Sequence, residues 1–111
     1  MIIDDEKYYR GDTFGFDITA EENGADYVFA KNEIVKIGMK TDYSKGSKYL
    51  LFKEIKVENP IEEIHVEFEP ELTKKLPLGI SILEVELTDS NNKVQTIFQD
   101  KIKIEGDIIN D

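Results

Sequence analysis

A period of two governs this chain. Phe14, Phe16 and Ile18 fall on one face of an extended segment, and Thr13, Asp17 and Thr19 fall on the other, the pattern of a strand with one face buried. The pattern returns at Val35, Ile37 and Met39 against Lys36 and Lys40. It returns again at Ile64, Val66 and Phe68 against Glu63, His65, Glu67 and Glu69, and in "KIKIE", where Ile102 and Ile104 point inward. Two runs change phase. Leu50 and Phe52 are out of step with Ile55 and Val57, and Ile80 and Ile82 with Leu83, Val85 and Leu87. Such a shift marks either a β-bulge or a strand apolar on both sides, and a bulge is the expectation in each run.

Turn-forming residues punctuate these runs: "ENGAD" at 22–26, "DYSKGSK" at 42–48, "ENP" at 58–60 and "DSNN" at 89–92. They hold the Gly, Asn, Asp and Pro that tight turns select, and the last should close a hairpin. About seven or eight short strands without a long helix predict an all-β fold, an antiparallel β-sandwich. One segment departs from the pattern. "PELTKKL", 70–76, puts Leu72 and Leu76 four apart on one side of a short helical turn ended by Pro77, with both leucines expected to plug the core. At 111 residues, with no internal repeat or composition break, the chain reads as a single domain over 1–111. A chain of that size removes roughly 65% of its unfolded surface from water, so it needs no covalent staple.

Composition narrows the chemistry. There is no cysteine, which excludes a disulfide framework, a thiolate metal site and a thiol nucleophile, and fits maturation in a reducing cytosol. Twenty-four Asp and Glu against 14 Lys and Arg give a formal charge of -10. That sign repels phosphate backbones and argues against nucleic acid as a partner. The acids are interleaved with lysines, as on a solvated surface. The opening "MIIDDEKYYRG" has neither a basic n-region nor an apolar h-region, so no cleavable signal is expected. No apolar run approaches the length of a membrane-spanning helix.

Several motifs suggest sites and mostly read as structure. Arg10-Gly11-Asp12 abuts the Phe14–Phe16 run, and Gly11 and Asp12 supply the chemistry of a turn that launches a strand. His65 is the only histidine, so it has no partner for a zinc pair, and it lies on the polar face of its strand. Glu67 and Glu69 share a strand face, as do Glu84 and Glu86, but nothing there signals the desolvated carboxyl that acid–base catalysis requires. "DSNN" and "MIIDDE" offer oxygen ligands without matching a calcium-loop pattern. No cofactor is expected. The tyrosines lie at strand ends and turns; Tyr8, Tyr9, Tyr27 and Tyr43 form the candidate interaction surface, able to fill a protein interface, stack on sugars or roof the core.

Taken in order, four segments resemble a known family. "RGDTFGFDI" is similar to a G-D-T opening before an apolar strand, and "LLFKEIKV" to a strand whose lysine precedes an apolar pair. "VEFEPELTKKLPLGISILEVEL" resembles a strand, proline, helical turn, glycine and second strand. "KVQTIFQDKIKIEGDI" is similar to a hairpin return closing in G-D-I. The set resembles the Ig-like N-terminal domain of the siphophage baseplate upper protein family, over most of the chain. Ser81 and Leu83 stand where that family usually carries tyrosines, and Asp100 where it often has glycine. The resemblance implies a phage or prophage virion component of the tail or baseplate, assembled in the host cytoplasm. It also implies copies of itself or neighbouring baseplate proteins as partners, and no catalytic residues. The rival expectation is a carbohydrate-binding module built on the surface tyrosines.

Overall fold

A computed structural model describes residues 8–42 and 48–106. In chain order the elements are β1 (Tyr8–Tyr9), β2 (Phe14–Ile18), β3 (Glu21–Glu22), β4 (Ala25–Asp26), β5 (Ile34–Lys40), β6 (Leu51–Lys56), β7 (Ile64–Phe68), α1 (Pro70–Thr73), β8 (Gly79–Thr88) and β9 (Val94–Glu105). The fold is all-β. Five strands form one sheet in the order β1-β9-β8-β5-β6, while β2 pairs with β7 and β3 with β4. Nine strands are present among the described residues rather than seven or eight, because three are two-residue pieces. Pairing is antiparallel except at β1, which runs parallel to β9 through Tyr8–Ile104 and Tyr9–Glu105. That pair corrects the purely antiparallel expectation.

The alternation in β2 and β7 converts directly into packing. Both strands bury every second residue, and their register places Phe14 opposite Phe68, Phe16 opposite Val66 and Ile18 opposite Ile64. These side chains join Val35, Ile37, Met39, Leu83, Val85, Ile102 and Ile104 of the larger sheet in one continuous core. Full burial of a side chain of this size stabilises by about 1.5–3 kcal/mol before entropy is counted.

The two expected bulges are not where the phase changes placed them. The β5–β6 ladder runs unbroken from Ile34–Lys56 to Met39–Leu51. Leu51 is buried, in step with the half-buried Ile55 and buried Val57, while Phe52 is exposed on the outer face. The β5–β8 ladder is also continuous; β8 turns Ser81, Leu83, Val85 and Leu87 inward and carries Ile80 and Ile82 on its other face. The second phase change is therefore a strand apolar on both sides. The irregularity lies in β9, where Val85 faces Phe98 but the next residue, Glu86, faces Thr96, leaving Ile97 as the extra residue.

The helical turn forms at Pro70–Thr73, but it plugs the core differently from expectation. Leu72 is exposed and Leu76 is buried; Thr73, fully buried, takes the inward place beside it. Its hydroxyl donates to the Asp12 carbonyl at 2.6 Å. A hydroxyl suits this position because the turn before β2 presents a backbone acceptor that an alkyl group would leave unpaired.

Candidate interaction surfaces

Arg10-Gly11-Asp12 is a turn. The Asp12 amide donates to the Tyr9 carbonyl at 3.1 Å, and Gly11 adopts φ 94, the left-handed value that the third residue of a type II turn requires. The Arg10 amide donates to the Glu105 carbonyl, tying the turn to the end of β9.

The four candidate tyrosines do not form one platform. Tyr8 is half-buried, its ring 5.2 Å from Phe14 and 5.5 Å from Phe16, so it roofs the core. Tyr9 is exposed beside it. Tyr27 is half-buried at the other end of β9; the separation from Ile97, which borders its cleft, to Ile104 beside Tyr8 is about 23 Å of strand. Tyr43 lies outside the described residues. Tyr49, absent from the candidate set, is exposed and its ring centroid lies 4.8 Å from that of Phe52. Its placement depends on Gly38, since a Cβ there would meet the ring at 2.4 Å. Lys40 extends its ammonium over the same ring at 4.6 Å. A groove of about 530 Å³ crosses the outer face of the large sheet here, between Tyr49, Ile82 and Gln99. Burial, with Glu86 and Glu84 nearby, raises the Tyr49 phenol pKa.

A wider cleft, about 1300 Å³, opens between the β3–β4 hairpin and the first residues of β9. Its base is a structural anchor. Glu33, 4% exposed, accepts from the Tyr27 hydroxyl at 2.8 and 2.6 Å through its two oxygens. It also accepts from the Ala30 amide at 2.6 Å. Burial, then the hydrogen bond to and charge of Glu33, push the Tyr27 phenol up to about 12, because ionisation would set two anions side by side. Sequence reasoning missed Glu33, one acid among twenty-four, with nothing local to distinguish it. The hairpin above it is legible: Asn23 and Gly24 both adopt positive φ, as a two-residue turn of this handedness demands. On the cleft's other wall, Asp89 accepts from the amides of Asn91 and Lys93 at 2.8 and 3.0 Å. "DSNN" is thus a hairpin turn with Asn92 in the left-handed region.

His65 is solvent-facing but engaged. Nδ1 lies 2.6 Å from Asp17, directly across the β2–β7 pair, and Nε2 lies 2.9 Å from Glu67. These two carboxylates raise its pKa. Glu67 and Glu69 are exposed, and Glu84 and Glu86 half-buried on the outer face. Among the described residues, no group of three or more metal-ligating side chains converges. "DSNN" carries no such group, and "MIIDDE" lies outside the described residues. No described helix is long and apolar enough to cross a membrane. No family model matches the chain, and no curated protein matches it either.

Proposed function

We propose that this chain is an Ig-like β-sandwich serving as a non-catalytic assembly domain of a phage or prophage tail baseplate, working by contact with baseplate proteins or copies of itself in the virion. The ordered sequence segments from "RGDTFGFDI" to "KIKIEGDI" support the family reading. The observation that carries the mechanism is the surplus of unpaired strand edge. Among the described residues β2 and β7 pair only with each other, β6 only with β5, and β9 meets β1 only at its last two residues. Such edges are templates for contact with other chains. The polar residues withdrawn from water, Glu33, Thr73 and Ser81, sit within the scaffold rather than around a reacting centre. Co-expression with tail and baseplate proteins followed by sedimentation tests the reading: it predicts a stable complex or a self-associated species. A chain that stays monomeric at high concentration and binds none of them refutes it.

One observation favours the saccharide-binding reading. Tyr49 and Phe52 present exposed rings beside a groove lined by Gln99 and Glu84, which are joined at 3.1 Å; sugars stack on such rings and bond to such side chains. Glycan-array binding abolished by Tyr49→Ala would establish this reading, and a silent array would leave the scaffold.

A further inference from the structure

We propose that the cleft between the β3–β4 hairpin and the start of β9 receives an extended, basic segment of a partner chain, which adds as a strand to the free edge of β9. This rests on the assembly reading and names its contact and the partner's chemistry. Three independent features converge.

The first is the edge itself. From Val94 onward β9 pairs with β8 on one side, and among the described residues its other side meets no strand until Ile104. An unpaired edge offers alternate amides and carbonyls to an incoming strand, and main-chain bonds of this kind supply affinity in strand addition. Val94–Ile97 spans about 10 Å, enough for several such bonds. Val94 is 62% exposed, and Ile97 and Phe98 are half-buried where the strand bulges, so apolar surface flanks the edge.

The second is shape. Residues 94–97 of β9 line one side of the cleft and the hairpin acids the other, and about 1300 Å³ of space separates them among the described residues.

The third is charge. Glu21, Glu22, Asp26, Glu33 and Asp89 line the cleft against Lys93. Glu33 is occupied by Tyr27 and Ala30, but the hairpin acids are exposed. Glu21 also lies directly opposite Asp26 in the β3–β4 register. Like charges in that relation oppose the pairing of their own strands, a strain that a cation placed between them relieves. The same charge disfavours a second copy of this chain as occupant, since the chain carries -10.

A peptide of alternating lysine and valine, about ten residues long, is a suitable probe of the 111-residue chain. It should slow amide hydrogen exchange at Val94–Ile97. It should also bind at least about tenfold tighter than a glutamate–valine peptide or a copy with alternate backbone amides methylated. The Glu22→Lys/Asp26→Lys variant should lose about tenfold in affinity, and Lys93→Glu, an independent check on folding, should gain about twofold. Equal binding of the methylated peptide, protection elsewhere, unchanged affinity in the double variant or no binding at about 1 mM would each overturn the site. Failure here is separable from failure of the assembly reading. A double variant that joins baseplate proteins as well as the parent removes this contact alone, whereas a chain that takes the peptide at β9 but joins no baseplate protein removes the assembly reading alone.

Discussion

The two ends of β9 are built on opposite principles. At the Ile104 end, β1 covers the edge, the Arg10 amide bonds the Glu105 carbonyl, Thr73 satisfies Asp12 and Tyr8 lies on Phe14 and Phe16. At the Val94 end, among the described residues, the edge meets no strand, the surroundings are acidic, and the buried Glu33 is held by Tyr27 and a local amide. The closed end spends its side chains on its own backbone. At the open end the side-chain bonds are local, from Ala30 and Tyr27 to Glu33 and from Asn91 and Lys93 to Asp89, so a mutation should be read by where it falls along this one strand.

The sharpest way to break the contrast is to remove a core ring below the closed half. Phe68→Ala should lose about 3–5 kcal/mol in urea unfolding, whereas Val94→Ala at the open end should change stability by less than about 0.5 kcal/mol. Comparable losses would show that the open end is part of the core. Thr73→Val keeps shape but leaves the Asp12 carbonyl without its donor, and should lose about 1–2 kcal/mol. Ser81 tests the opposite sign. Its hydroxyl is buried without a partner among the described residues, so Ser81→Ala should leave stability unchanged or raise it by up to about 1 kcal/mol.

The smallest expected effects are electrostatic. Tyr27 should titrate near 12 in ultraviolet absorbance, and Tyr27→Phe should remove that step. Because its folded pKa lies above the ordinary 10.0, the stability linked to the neutral phenol is complete below pH 10 and declines as pH rises towards 12. His65 behaves likewise around neutrality. Its folded pKa is raised from 6.5, so its contribution is complete below that value and fades as pH climbs through the folded pKa. His65→Gln should flatten that slope, and NMR of the ring should place the midpoint above 6.5.

How much of this was legible follows from the same contrast. β2 and β7 could be read residue by residue, because one face is wet and the other dry. β8 could not: Ile80 and Ile82 are apolar on the outer face, and period-two reasoning takes such residues for a break in register. The real irregularity, at Ile97, is invisible because its neighbour Phe98 is apolar too. The tyrosines were found, but which of them share a surface depends on contacts far apart in sequence, such as Tyr49 over Gly38. Thr73 took the place expected of Leu72, and its partner, the Asp12 carbonyl, lies too far away in sequence for local spacing to reveal it.

The supernumerary residue at 97 acts as a parity change within a single strand. Upstream of it, Thr96 can stand opposite Glu86 on the outer face; downstream, Phe98 can stand opposite Val85 on the inner one. Deleting Ile97 would make Thr96 and Phe98 neighbours and leave the Glu86–Thr96 and Val85–Phe98 pairs in an unbroken ladder, with Ile102 and Ile104 still facing the interior. Loss of that single residue should therefore be tolerated, whereas loss of one residue between Phe98 and Ile102 should not, because it turns one side of the strand onto the wrong face.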